Sequence, residues 1–226
     1  MSIEYTIISI GAMGANRLWG ETAPVRTAHA TTTLITDGDR LILVDPGLPA
    51  TALDARVNER TGKTLADVTD VFCTTLRPAH RRGLEALTHA TWWTSPLELQ
   101  TYSAGMADRQ DAAERLSSDD AKLHEFELEL LDRFKEAEDD FSAQVSLYPL
   151  HGPSPGCTGL LLTPPTQTIL IASDAAITTE HVQRGQVWAG CHDTEEALQT
   201  LGDLLEVADI IICGHDNLTF APRPWV

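Results

Sequence analysis

Three side chains that could bind a metal each follow a separate apolar run of this 226-residue chain, and they are His80, Asp174 and His215. Side chains at strand ends and in the loops that follow converge on one rim of a sheet structure. Two imidazoles and one carboxylate are enough to hold a catalytic ion, because zinc sites of this kind keep a fourth position for water and iron(II) accepts the same ligands. Such an ion lowers the pKa of water from about 15.7 to around 7 and so provides hydroxide at neutral pH. The three residues therefore predict a site for one divalent ion.

The first half of the chain alternates strand and helix patterns. The β-branched and aliphatic runs 31–36 and 40–45 flank Asp37-Gly38-Asp39, which has the composition that hairpin turns prefer. The patterns that follow predict a helix over 50–60, a strand over 68–74, a helix over 81–90, a strand over 91–93 and a helix opened by Ser95 and Pro96. In outline this half is βββαβαβα.

The stretch 106–142 differs from the rest of the chain in its charge. It holds 13 Asp or Glu and 5 Lys or Arg, so it carries −8 of the net charge of −17. Its apolar residues recur at spacings of three and four, and they are Leu123, Phe126, Leu130, Leu131 and Phe134. This spacing predicts an acidic helical insertion with one stripe packed down and the charged faces in water. A second interpretation is also open, in which the insertion covers a pocket as a lid.

In the second half, strand patterns again precede polar clusters. They span 143–148, 159–163, 168–172 and 209–213. Asp193 and Glu196 have the spacing of a capping box, which predicts that a helix begins there. The recurrence of a polar cluster after a strand places the candidate ligands at one rim.

Four short motifs occur in an order that resembles the metallo-β-lactamase superfamily. They are Leu43-Val44-Asp45-Pro46-Gly47, the loop from Thr75 to His80, the loop from Gly152 to Gly156, and Ser173-Asp174 with Gly214-His215. The resemblance covers nearly the whole chain and implies a single domain over 1–226 of the α/β (α+β) class, a four-layer αββα sandwich of two mixed sheets flanked by helices. Members of this family bind one or two zinc, iron or manganese ions at one edge of the sandwich. They activate water to hydrolyse esters, thioesters, lactones or phosphoesters.

Compared residue by residue, the chain resembles the family at one metal position and departs from it at the other. At the first position all three ligands are missing, and the residues there are Thr75, Arg77 and Pro153. At the second position Ala79 replaces an aspartate, while the other three ligands are present as His80, Asp174 and His215. The resemblance therefore implies at most one bound ion.

Arg77 puts a permanent cation where the family has a metal ligand. If the guanidinium of Arg77 lay roughly 4 Å from a divalent ion, the repulsion would cost on the order of 4 kcal/mol for each unit of the ion's charge, at an effective dielectric constant near 20. Two arrangements avoid this cost. In one, Arg77 turns toward substrate or solvent and acts as a catalytic cation that stabilises an oxyanion. In the other, Arg77 pairs with Asp174 in place of a metal and the site is a salt-bridged remnant.

Three further residues are candidates for the surroundings of the site. Asp45 would orient a metal ligand by a hydrogen bond, although capping of the turn at Pro46-Gly47 explains it nearly as well. His151 lies two residues before Pro153, where it would reach back toward the site or serve as a surface histidine. Trp19 lies in the loop before the first hairpin, where this fold builds its substrate rim, and is a candidate for ligand contact.

Charge and composition restrict the partners that we expect. A net charge of −17 disfavours nucleic acid and anionic lipid, since those partners require basic patches. No run approaches the roughly 20 apolar residues of a membrane span, and the first residues lack the pattern of a signal peptide, so we expect a cytoplasmic protein. The expected partner is a small-molecule substrate or ligand. Trp188 and Trp225 would support a homodimer if they were exposed, and the oligomeric state is open.

The predicted function is a hydrolase-like activity in which one zinc, iron or manganese ion activates water, with Asp174 and Arg77 as the catalytic residues. The alternative is a metal-free member of the family that binds a small molecule, or regulates a partner, and performs no chemistry. These two hypotheses differ in whether the protein holds a metal.

Overall fold

The chain folds into two six-stranded sheets that pack against each other. The computed structural model describes residues 3–113 and 118–222, and the side chains of 107–113, 118–121 and 123 are not described. The first sheet contains, in spatial order, β1 (Glu4–Ser9), β2 (Thr32–Asp37), β3 (Arg40–Val44), β4 (Asp70–Phe72), β5 (Thr91–Thr94) and β6 (Phe134–Glu136). β1, β2 and β3 pair antiparallel, whereas β3 to β6 pair parallel.

The second sheet is built from the later strands. In chain order they are β7 (Asp140–Ser142), β8 (Val145–Pro149), β9 (Thr158–Leu162), β10 (Ile169–Ser173), β11 (Ile210–Cys213) and β12 (Leu218–Phe220). Strands that are consecutive in the chain are neighbours in the sheet, from β7 at one edge to β12 at the other. β10 and β11 run parallel, and the other neighbours run antiparallel. The parallel pair positions two of the candidate ligands, because Asp174 follows β10 and His215 follows β11.

Helices cover the outer face of each sheet. Those of the first half are α1 (Ala50–Thr61), α2 (Pro96–Ala113) and α3 (Ser118–Leu131), and those of the second half are α4 (Thr179–Arg184) and α5 (Thr194–Val207). Alternation along β3 shows why the layers form, since Leu41 and Leu43 pack toward the first-half helices while Ile42 and Val44 pack between the sheets. The predicted four-layer αββα sandwich of two mixed sheets is confirmed. None of the described helices is long and apolar enough to cross a membrane.

The prediction of a helix over 81–90 was wrong. The structure has two short 3-10 turns there, Pro78–His80 and Arg82–Ala86. The N–H groups of Leu84, Leu87 and Ala90 each donate to the carbonyl three residues back, at 3.3, 2.9 and 3.1 Å, whereas an α-helix bonds four residues back. Contacts with distant segments fix the start of this stretch, because the Ala79 carbonyl accepts from the Ala30 N–H at 2.9 Å and the Gly83 N–H donates to the Pro46 carbonyl at 2.8 Å.

In the described part of the chain, the stretch 106–142 is helical only as far as Leu131. Helix α3 ends at Leu131, and the chain then forms β6 and β7. Phe134 and Phe141 draw these segments into the sheets, because Phe134 packs on Trp92 with ring centroids 5.6 Å apart and Phe141 packs edge-on against Phe72 at 5.3 Å. Of the predicted stripe, Leu131 is buried and Phe126 is 58% exposed, while the side chain of Leu123 lies outside the described part.

Candidate metal centre

His80, Asp174 and His215 meet at the rim where β4, β10 and β11 end. Oδ1 of Asp174 lies 3.2 Å from Nε2 of His80 and 3.2 Å from Nε2 of His215. All three side chains are buried. Backbone bonds join the sheets beside them, because the Thr31 N–H donates to the Gly214 carbonyl at 2.7 Å and the Thr158 N–H donates to the Thr74 carbonyl at 3.0 Å. The rim is therefore held by both sheets.

The donor atoms are arranged as metal ligands are. Both ring nitrogens of His80 and Oδ1 of Asp174 are buried without a hydrogen bond of normal geometry, although these atoms lie close to one another. Two ligand atoms of a tetrahedral zinc ion, each about 2.1 Å from the metal, lie about 3.4 Å apart. One ligand atom from each of His80, Asp174 and His215 lies within 4.8 Å of the others. This donor set fits one divalent cation.

In the absence of a cation, His80 lies between two carboxylates. Its Nδ1 is 3.1 Å from Oδ2 of Asp45, and its Nε2 faces Asp174. Burial lowers the pKa of His80, but the negative charges of Asp45 and Asp174 outweigh burial and raise this pKa to about 10. The pKa of Asp174 lies well below its usual range, because His80 and His215 offset the cost of burying its charge. A proton on His80 therefore competes with any metal.

Asp45 is fixed by a strained backbone and by Thr74. The φ angles of Asp45 and Ser173 are 49° and 50°, which is uncommon for residues other than glycine. Asp45 accepts from the Thr74 N–H at 2.9 Å and from its hydroxyl at 2.6 Å. The same hydroxyl lies 2.6 Å from Oγ of Ser173. The strained ends of β3 and β10 are thus joined through one threonine, next to the metal ligands.

Arg77 pairs with Asp174 and does not turn toward solvent. Its Nη1 donates to Oδ2 of Asp174 at 2.9 Å, and its Nη2 donates to the carbonyl of Pro153. The guanidinium also lies over the ring of Trp188, with Cζ 4.5 Å from the ring centroid. Trp188 is half-buried in this contact. Because the pairing uses Oδ2, it leaves Oδ1 of Asp174 directed at the two imidazoles.

A buried carboxylate that the sequence analysis did not identify lies beside Arg77. Glu98, in the first turn of α2, accepts from the Thr75 hydroxyl at 2.7 Å, the Leu76 N–H at 2.8 Å and the Ser154 hydroxyl at 2.7 Å. The cap formed by Ser95 positions it, since the Glu98 N–H donates to Oγ of Ser95 at 3.2 Å. The sequence marks the start of this helix, but no local pattern shows that Glu98 faces inward.

A cavity of about 880 Å³ opens onto the cluster, and Arg77, His80, Asp174 and His215 lie in its wall. Much of the remaining wall is apolar, with side chains that include Met13, Leu18, Ile177, Val187, Trp188 and Leu198. His181 is a further wall residue that the sequence analysis did not identify, because helix α4 has only six residues and no clear apolar period. The cavity is large enough for a substrate with an apolar chain.

Two predicted pocket residues lie elsewhere. His151 is 3.9 Å from Glu196 and is not part of the cavity wall, so it does not reach back to the cluster. Trp19 is 61% exposed and donates from Nε1 to Glu180 at 2.6 Å, while its neighbours Arg17 and Leu18 line the cavity instead. Trp225 lies outside the described residues.

Comparison with known proteins agrees with this architecture. A Thermotoga maritima protein assigned to the metallo-β-lactamases superimposes with a TM-score of 0.68 at 16% identity, covering 97% of this chain and 100% of that one. The dizinc quorum-quenching lactonase AidC, solved with the product N-hexanoyl-L-homoserine, gives 0.67 at 14% identity and covers 100% and 92%. An AiiA variant from B. thuringiensis with N-decanoyl-L-homoserine at its active site gives 0.63 at 20% identity and covers 95% and 93%.

At these identities the structural likenesses bear on the fold alone. No curated protein matches the chain in sequence. A family model described as the metallo-beta-lactamase superfamily matches residues 26–215, which is most of the chain. The protein therefore belongs to the metallo-β-lactamase superfamily.

Proposed function

We propose that the protein is a hydrolase that uses one divalent metal ion, with Arg77 as a fixed cation in place of a second ion. The observation that supports this proposal is the division of the Asp174 carboxylate. Oδ1 faces His80 and His215, while Oδ2 accepts from Arg77 at 2.9 Å. A carboxylate shared in this way can bind a metal through one oxygen while the other remains paired.

His80, Asp174 and His215 would hold the ion. A ligating histidine usually donates its second ring N–H to a carboxylate or carbonyl, which fixes the direction of the ligating nitrogen. His215 has such a partner, since its Nδ1 is 3.0 Å from the Ala12 carbonyl oxygen. Nδ1 of His80 lies 3.1 Å from Oδ2 of Asp45, although not in the geometry of a hydrogen bond. A divalent ion held there would supply Lewis acidity, which makes water acidic enough to act as a nucleophile near neutral pH.

Arg77 would stabilise negative charge that develops on the substrate. Its guanidinium is held on three sides, by Asp174, by the Pro153 carbonyl and by the face of Trp188. A cation that is positioned before the reaction costs no reorganisation when an oxyanion forms. By the family resemblance, Thr75, Arg77 and Pro153 occupy the positions of the first metal's ligands. Arg77 would therefore supply positive charge where relatives hold an ion.

The cavity wall supports an ester or lactone with an apolar acyl chain as the substrate. The wall near the cluster is formed largely by apolar side chains, which would bind a hydrocarbon chain by burying it from water. Two of the structural relatives are described with an N-acyl homoserine product bound. The shared fold makes a carboxylic ester or lactone the first class to assay.

A second candidate function is a metal-free binding protein. The observation in its favour is the pKa of about 10 for His80, because the protonated ring already offsets both carboxylates without an ion. In that case the cavity would bind a ligand, and the cluster of His80, Asp174 and His215 would only stabilise the fold.

Elemental analysis of protein purified without a histidine tag or chelator separates the two candidates. We expect about one zinc, iron or manganese ion per chain, lost in Asp174→Ala and in His215→Ala. The control variant is His151→Ala, which removes a histidine outside the cavity and should keep the metal. Absence of metal after loading with each of the three ions would establish the binding-protein alternative.

A further inference from the structure

His181 is a buried polar side chain in the cavity wall that the proposed metal centre does not use. It is 4% exposed and lies on α4. The buried polar residues of the described wall are otherwise His80, Asp174 and His215. Polar side chains in an otherwise apolar cavity commonly fix the orientation of a ligand. His181 therefore needs a role that the metal ligands do not explain.

Thr178 orients the imidazole of His181. As the N-cap of α4, its hydroxyl oxygen accepts from the His181 backbone N–H at 3.3 Å, and it lies 2.7 Å from Nδ1 of the ring. Among the described residues the ring makes no other hydrogen bond, so Nε2 has no protein partner there. A hydroxyl that accepts the backbone N–H still has its own hydrogen, which Nδ1 can accept. In that tautomer Nε2 carries a hydrogen and is a donor.

The segment that carries His181 is fixed to the metal centre. The Ile177 carbonyl accepts from the His215 N–H at 2.8 Å, and the Ala176 carbonyl accepts from the Gly214 N–H at 3.1 Å. The Thr179 N–H donates to Asp216 at 3.1 Å. The start of α4 is therefore bonded on both sides of His215, and the imidazole keeps a constant position relative to the cluster. This preorganisation is what a group that contacts substrate requires.

The ring is uncharged near neutral pH. Burial lowers the pKa of His181, and the positive charge of Arg184 lowers it further, against an opposing effect of Glu180. A neutral imidazole can donate a hydrogen bond to a developing oxyanion without adding charge.

We propose that Nε2–H of His181 donates a hydrogen bond to the leaving oxygen of the ester or lactone, a role that rests on the proposed hydrolase function. In this reaction the oxygen of water adds to the carbonyl carbon. The C–O bond to the leaving oxygen then breaks, and its electron pair stays on that oxygen. One proton of the water completes the alcohol, and the other is released as the carboxylate forms. His181 lowers the cost of the negative charge on the leaving oxygen.

The test compares two substrates with the same acyl length. p-Nitrophenyl octanoate has a leaving group that is stable as an anion, whereas δ-octalactone releases an alkoxide that needs a donor. In zinc-loaded His181→Asn, we expect the loss of kcat on the lactone to exceed the loss on the aryl ester by at least about 20-fold. His181→Gln, whose longer amide reaches the place of Nε2, should recover part of the lactone activity. Equal losses on both substrates would overturn the proposal.

An NMR measurement tests His181 independently of turnover. In ¹⁵N-histidine-labelled protein, we expect the His181 ring to be the neutral Nε2–H tautomer, and its Nε2 signal to shift when 5-hydroxyoctanoate is added. Thr178→Val should change the tautomer and Thr178→Ser should keep it. If the protein holds no metal and hydrolyses neither substrate, the proposed hydrolase function fails. An Nε2 signal that does not respond to 5-hydroxyoctanoate rejects the His181 contact itself.

Discussion

Arg77 and Asp174 form an ion pair of 2.9 Å that occupies one carboxylate oxygen and leaves the other free for the two imidazoles. The sequence alone offers a choice between an Arg77 that turns away from the metal centre and an Arg77 that replaces the metal. The structure shows the pair, and in the proposed site Asp174 would bind the metal through its other oxygen. A cation and a metal can therefore act on the same carboxylate from opposite sides.

Replacing Arg77 should separate catalysis from metal binding. We expect Arg77→Gln to keep about one metal ion per chain and to lose roughly 10²- to 10³-fold in kcat, the usual effect of deleting a group that stabilises an oxyanion. Arg77→Lys keeps the charge but not the planar contacts with Pro153 and Trp188, so its activity should fall between that of the wild-type protein and that of Arg77→Gln. Steady-state kinetics and metal analysis of the same preparations provide the test. Loss of the metal from Arg77→Gln would contradict the role proposed for Arg77.

Metal affinity should increase with pH because the metal must displace a proton. The pKa of His80 is about 10 in the metal-free protein, so below that pH each unit of acidification should weaken zinc binding about tenfold. Competition with a zinc-binding dye between pH 7 and 9 measures the slope. Asp45→Asn removes one of the two charges that raise this pKa, and the slope should level off at a lower pH. An affinity that does not change over this range would show that zinc binding displaces no proton from His80.

The stability of the metal-free protein should fall on the alkaline side. His80 has a pKa of about 10 when folded and about 6.5 when unfolded, so its contribution is complete below pH 6.5 and is lost as the pH rises toward 10. Asp174 has a lowered pKa, so its contribution is present above about pH 4 and is lost on acidification. Thermal unfolding after chelation should show a maximum between these limits. His80→Gln should reduce the loss of stability at alkaline pH, and the metal-loaded protein should not show this loss.

Glu98 should be important for stability. Glu98→Ala leaves two buried hydroxyls and the Leu76 N–H without their acceptor, and we expect a loss of about 2 to 4 kcal/mol in the free energy of unfolding. Urea denaturation measures this loss. The matched control is Glu59→Ala, which breaks an exposed pair with Arg56 and should have little effect. A similarly small effect for Glu98→Ala would mean that water replaces the carboxylate.

The sequence predicted the layers and placed His80, Asp174 and His215 at one rim, where the structure has them, because both predictions depend on local patterns. Apolar alternation marks the strands, and His80, Asp174 and His215 follow strand ends, where the fold brings loops together. The failures have long-range causes. The stretch 106–142 is not helical beyond Leu131, because Phe134 and Phe141 pack in the sheets. Over 81–90 the backbone bonds three residues back, and long-range contacts of Ala79 and Gly83 fix the start of the stretch.

The polar residues that the sequence analysis missed share one property. The partners of Glu98 are as far as 56 positions away along the chain, and the role of His181 depends on a cavity formed by several separate loops. No local period reveals either residue. Conversely, His151 lies two residues before Pro153 in the sequence but contacts Glu196. Trp19 follows the cavity residue Leu18 but contacts Glu180.

The positive φ angles of Asp45 and Ser173 bear on which substitutions this site tolerates. Glycine at either position would relieve the backbone, but it would also delete the carboxylate beside His80 or the hydroxyl that contacts Thr74. A glycine substitution that relieves the backbone at either position would therefore also remove a side chain from the rim. Each of the two positions therefore holds a backbone conformation that costs on the order of 1 to 3 kcal/mol, and a replacement that relieves it also removes a contact at the rim.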